Sequence, residues 1–352
     1  MDLGGTSSSS LARNKARFRH LALVVTLVHA TAGMVLAAPA YSEVCAQEFP
    51  VEPGSQPAGI ARGIDGNVWF TEAVGNKIGR ITPSGQITLF DLTPEHGSSP
   101  VGITPGPDGA LWFTIESSAT QSGRIGRIST AGVITSYPID PGQPHGIVAG
   151  PDGALWFTYF NRPALGRITT SGQATVHPLP LPVPHPVQAH SITVGPDGAL
   201  WFTEFLGDRI GRYVPGNPSA FAEYPLPQGS HPHGIITGPD GAIWFAAQDR
   251  NRLGRMSTSG QLLEEIATGR TSGPHELAVD PFGKVWFTEI AANRVSRIDP
   301  VTKVIDRFCV PTPNSAPGYI VAGSDGAMWF HERFGHNIGR VWADPSMPDT
   351  TH

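Results

Sequence analysis

The chain has 352 residues, 39% of them hydrophobic and 15% charged, with 42 Gly and 34 Pro. That much Gly and Pro without a three-residue period points to many tight turns between short strands, and the regular recurrence of aromatic and β-branched residues excludes a disordered chain. The net charge of −5 at pH 7 repels a polyanion, so no nucleic-acid partner is expected.

Arg13, Lys15, Arg17 and Arg19 form a basic segment, Leu21 to Leu36 is an apolar run, and Ala38-Pro39-Ala40 supplies a small-x-small cleavage site. Residues 1–40 therefore read as a secretory signal peptide. The apolar run is short, broken by His29 and ends in small residues, unlike a membrane anchor. A secreted or periplasmic protein is expected, with no membrane span in the mature chain. Taking the four cations and one anion of this segment from the 24 Lys+Arg and 29 Asp+Glu leaves 20 against 28, a formal −8. Cys45 and Cys309 both follow the cleavage site. Export permits a disulfide between them, and two buried thiols are the alternative.

From there to residue 342 one repeat organises the chain. Trp-Phe occurs at Trp69, Trp112, Trp156, Trp201, Trp244, Trp286 and Trp329, at intervals of 42 to 45 residues. Each copy carries a short apolar strand, a turn such as Pro196-Asp197-Gly198, a strand such as Leu200-Trp201-Phe202-Thr203, a third such as Arg209-Ile210-Gly211-Arg212, and a last strand such as Ala222-Glu223-Tyr224-Pro225. Four antiparallel strands at this period are a propeller blade. The last copy stops after its third strand, and Val44 to Val51 supplies a spare fourth. The expectation is an all-β, seven-bladed β-propeller over residues 41–342, closed by the N-terminal strand joining the last blade, with a tail at 343–352. Closure removes the open sheet edge. A monomer is expected.

Residues present in nearly every copy read as structural. These are the Trp-Phe pairs, each Trp burying on the order of 200 Å², the turn aspartates, and Arg80, Arg127, Arg167, Arg212, Arg255, Arg297 and Arg340. Positions that vary between copies are more informative. Eleven residues before each Trp stand Ala58, Val101, His145, His190, His233, His275 and Gly318. Four consecutive blades thus place histidine in the loop entering the innermost strand, where propeller ligands converge, and His231 adds a fifth imidazole. One reading is duplication of a histidine satisfied by a neighbouring carbonyl. The other is a site, since Ala, Val and Gly are tolerated elsewhere. Neutral imidazoles bind metals or act as bases near neutral pH. After the Trp strand, Glu116 is shifted by one residue and Gln248 replaces an acid, which sets those two apart from the repeated glutamates.

The phrases Trp-Phe-Thr-Glu, Lys77-Ile78-Gly79-Arg80-Ile81-Thr82 and His231-Pro232-His233-Gly234-Ile235 resemble the virginiamycin B lyase (streptogramin B lyase) family through all seven repeats. The resemblance implies elimination on a cyclic depsipeptide, with a base removing a proton next to a carbonyl and Mg²⁺ stabilising the developing charge. It implies two catalytic histidines at the position before the inner strand, matched by His190 and His233, with His233 as the base. His275 offers an alternative register. It also implies two carboxylates, and here His231 and Gln248 stand in their places. An imidazole and an amide suit Mg²⁺ poorly and a softer ion such as Zn²⁺ better.

Two functions follow as expectations. One is a secreted lyase-like enzyme acting on a cyclic depsipeptide or similar small molecule, with His233, His190 and His275 as catalytic residues, His231 and Gln248 at a metal, and His145 and Glu116 lining the funnel. The other is a non-catalytic propeller whose central funnel binds a small-molecule or peptide-like ligand, a cell-wall fragment or a partner protein. A propeller lactonase would need a carboxylate-bound cation, and no matching acidic cluster is present.

Overall fold

The computed structural model describes residues 44–116, 123–181 and 187–342. The expected signal peptide and C-terminal tail lie outside them. Seven four-stranded antiparallel sheets form the blades of a propeller. Blade 2 shows the pattern: Pro100–Pro105 innermost, then Leu111–Ile115, Arg124–Ile128 and Ile134–Pro138 outermost. The seventh blade takes its outer strand from the other end of the chain, with Gln47–Pro50 pairing antiparallel to Asn337–Trp342 so that Gln47 faces Arg340. Beside this closure, Cys45 and Cys309 form a disulfide that ties the N-terminal segment to blade 6.

The repeat residues act within and between blades as their multiplicity suggested. All seven Trp side chains are at most 1% exposed and pack between adjacent sheets. Burying an indole requires a partner for its N–H, and the turn aspartate supplies it. Trp112 Nε1 donates to Asp108 Oδ1 at 2.9 Å, and Arg127 Nε donates to Oδ2 of the same carboxylate at 2.7 Å. The guanidinium lies 6.0 Å from the Trp112 ring centroid. Asp152 and Asp197 repeat the arrangement. In every blade but the sixth, which has Ser296, glycine precedes the arginine because the phenylalanine ring of the neighbouring strand lies over it. A Cβ on Gly126 would meet Phe113 at 2.2 Å.

The threonine of Trp-Phe-Thr joins blade to blade. Thr203 Oγ1 accepts the Ser191 amide of its own inner strand at 3.1 Å and donates to the His233 carbonyl of the next blade at 2.7 Å. Thr114 and Thr158 hold the carbonyls of His145 and His190 in the same way, at 2.7 and 2.8 Å. Three of the four funnel histidines are therefore fixed at their backbone by a buried hydroxyl of the preceding blade.

Candidate functional site

Each inner strand begins with a register shift, between Pro144 and Ile147, Ala189 and Ile192, Pro232 and Ile235, and Pro274 and Leu277 in blades 3 to 6. Such irregularities re-aim side chains, and here they fall on the histidines. All seven residues at this repeat position, from Ala58 round to Gly318, line one cavity of 170 Å³ at the centre of the ring. Within it the rings of His145, His190, His233 and His275 follow one another at centroid separations of 4.1, 3.7 and 3.6 Å. The duplicated histidines therefore form one contiguous arc.

Two carboxylates hold the arc. Glu116 Oε1 lies 2.8 Å from His145 Nδ1. Glu276 Oε1 lies 3.0 Å from His233 Nδ1 and accepts the Ser191 hydroxyl at 3.0 Å. With Glu276 ionised, Nδ1–H of His233 is the donor and Nε2 keeps its lone pair. Glu276 is 5% exposed and borders a second cavity of 160 Å³ deeper in the channel, together with Ser191 and Tyr319. Burial pushes its pKa up, and burial drives the imidazoles of His190, His233 and His275 down, with neighbouring histidines adding to the effect. The imidazoles of His190, His233 and His275 are thus neutral at pH 7.

His145, His190, His233, His275 and Glu116 are the sequence-derived candidates that the structure brings together. His231 and Gln248 are not among the cavity residues. His231 Nδ1 lies 2.6 Å from Asp249 Oδ2, and its ring stacks on Phe205 at 4.9 Å. Gln248 has a buried Oε1 without a hydrogen-bond partner. Among the described residues, the donor atoms of His190, His233 and Glu276 converge, all within 4.8 Å of one another.

Three site residues escaped the sequence comparison: Glu276, Tyr319 and His331. Glu276 and Tyr319 follow the histidine position by one residue, where the other copies read Gly59, Gly102, Gly146, Ser191 and Gly234. The signal was present one residue further on. Glu276 occupies space left by the neighbouring blade, since a Cβ on Gly234 would meet its Oε2 at 2.7 Å. His331 stands where other blades carry the joining threonine or Ala246. Its ring fills the place over Gly318, within 2.3 Å of where a Cβ there would lie. Blade 7 has thus exchanged an imidazole on the inner strand for one on the second strand.

The fold, the repeat words and this arc agree with one family. A family model described as the virginiamycin B lyase family matches residues 20–228 and 188–349. The chain belongs to the virginiamycin B lyase family. Its structure superposes on a streptogramin B lyase with a TM-score of 0.76 at 34% identity, covering 86% of this chain and 99% of that one. A catalytically inactive histidine-to-alanine variant of virginiamycin B lyase from Staphylococcus aureus, solved with quinupristin, is similar at 32% identity and a TM-score of 0.74, over 84% of this chain and 98% of that one. A virginiamycin B lyase from Bordetella pertussis is 48% identical over 46 residues, a stretch that spans 13% of this chain and 15% of that protein. Like other members of the virginiamycin B lyase family this chain is a propeller. No helix among its described residues is long and apolar enough to cross a membrane.

Proposed function

We propose that this family member is an exported carbon–oxygen lyase that opens a cyclic depsipeptide or similar small molecule by elimination, with His233 as the base. The observation that carries the reading is the His233–Glu276 pair at 3.0 Å within the funnel. A carboxylate on Nδ1 sets the tautomer and leaves Nε2 to take a proton. In the reaction, the C–H bond next to a carbonyl breaks and its proton passes to His233. The electron pair forms a C=C bond, and the ester C–O bond breaks with the carboxylate as leaving group. His190 and His275 flank the base and exclude water from it.

A 170 Å³ cavity is smaller than the roughly 300–1,000 Å³ that encloses a drug-sized ligand, so one segment of a macrocycle would enter and the remainder would lie on the rim. Val74, Leu206 and Phe334 are exposed on loops of that face, which suits an apolar ring. The Mg²⁺ implied by the family resemblance does not fit this donor set. Mg²⁺ demands six near-ideal oxygen ligands, whereas the arc presents imidazoles, with Glu116 and Glu276 each hydrogen-bonded to one. The His231 and Gln248 replacements favour a second reading, a propeller that binds such a ligand without turnover.

Mass spectrometry of a streptogramin B antibiotic incubated with purified protein separates the two. A linear product of unchanged mass, with turnover lowered at least ~10²-fold in His233→Ala, is the expected result. A product heavier by one water would replace the lyase with a hydrolase, and binding without product would leave the second reading.

A further inference from the structure

We infer that His190, His233 and Glu276 form a centre for one borderline divalent transition-metal ion of the Zn²⁺ class. Their donor atoms lie within 4.8 Å of one another, and one pair, His233 Nδ1 and Glu276 Oε1, is already 3.0 Å apart. Zn–N and Zn–O bonds near 2.0–2.1 Å in a tetrahedron put ligand atoms roughly 3.3 Å apart. That pair is already near this spacing, and the His190 donor atom lies within 4.8 Å of both. Second, Nδ1 of His190 is buried without a hydrogen-bond partner. Such a nitrogen in a native interior calls for a proton donor, a water or a cation; Nδ1 of His275, both ring nitrogens of His331 and the Tyr319 hydroxyl in the same cavity are likewise without a partner. Third, the donor set is two imidazoles and one carboxylate. That is the three-ligand set of an open zinc site, which leaves a fourth position for water or a ligand atom, and it is chemically wrong for Mg²⁺.

Outer contacts fit as well. Ser191 donates to the Glu276 carboxylate, and Thr158 and Thr203 fix the backbones of His190 and His233. Groups that orient ligands in this way commonly decide metal affinity. The inference goes beyond the proposed elimination and does not need it. An ion at this place takes His233 Nδ1 and the Glu276 carboxylate, replacing their hydrogen bond and leaving the proton of the neutral ring on Nε2, so ion and base compete for the same imidazole.

The test uses untagged, metal-stripped protein titrated with Co²⁺, read by its visible ligand-field absorption, with Zn²⁺ and Mg²⁺ as competitors. One equivalent of four-coordinate Co²⁺, displaced by Zn²⁺ and not by excess Mg²⁺, is expected. His190→Ala and Glu276→Gln should each weaken binding at least ~100-fold, while His96→Ala, in the short turn Pro94–His96 and outside the cavity lining, leaves it unchanged. X-ray absorption of the Zn²⁺-loaded wild-type protein should show two imidazoles and remains decisive if a variant does not fold. Absence of stoichiometric Co²⁺ binding, equal displacement by Mg²⁺, or full affinity in both folded variants would overturn the centre. Binding without lyase turnover removes only the elimination, and turnover without binding removes only the centre.

Discussion

Threonine 203 shows how one side chain serves both stability and site. Its hydroxyl is fully buried and links the Ser191 amide to the His233 carbonyl, and those two residues are the ones that meet Glu276. Thr203→Val keeps the shape and leaves both backbone groups unsatisfied. The expected cost is about 1–3 kcal/mol, measured by urea unfolding, together with a lower affinity for whatever occupies the arc. A loss under about 0.5 kcal/mol would mean that the strands hold the histidine without the hydroxyl. Blade 5 is a natural comparison, because Ala246 replaces this threonine and His275 lacks the bond. At this scale the sequence was partly transparent. The four aligned histidines were visible because a repeat supplies its own control. Glu276 was not, because its role depends on Ser191 lying 85 residues away and on the missing side chain of Gly234.

In blades 2 to 5, the turn aspartate is held as a carboxylate by its partners. Burial by itself raises the pKa of Asp108, Asp152, Asp197 and Asp240, but hydrogen bonds from the indole and the arginine outweigh it and hold each carboxyl below its ordinary value of 3.8. A depressed carboxylate contributes stability that is fully present above the ordinary value and is lost as pH falls through the folded one. Asp197→Asn should therefore melt earlier than the wild type at pH 7, by about 1–2 kcal/mol, and the difference should shrink as pH drops below 3.8. A difference independent of pH would assign the effect to packing of the turn. The strands themselves were readable from the sequence, since alternation and Pro-Asp-Gly turns are local. The register shifts that turn the histidines into the channel were not, because they depend on how each inner strand meets its neighbours.

The ring as a whole is closed at one place by two devices. The N-terminal strand completes blade 7, and the Cys45–Cys309 disulfide spans 264 residues of sequence. A cross-link over so long a loop restricts the unfolded chain strongly, and its removal by the paired change Cys45→Ser and Cys309→Ser should cost about 2–5 kcal/mol in denaturant. Addition of a reductant should have the same effect on the wild type and none on the variant. An unchanged midpoint would show that strand pairing alone holds the ring.

Blade number, strand order and the structural status of Trp, Asp and Arg are properties of the sequence by itself. They arise from contacts within about 45 residues, and the repeat writes them out seven times. The same holds for the histidine arc as a set of equivalent positions. Tertiary structure alone decided that the cysteines pair, that His231 turns away to Asp249, and that His331 replaces the missing side chain of Gly318. It also decided that Glu276 closes on His233 across a blade boundary. Each of these is a contact between residues in different blades, loops or, for His331 and Gly318, neighbouring strands of blade 7, and no local pattern encodes them.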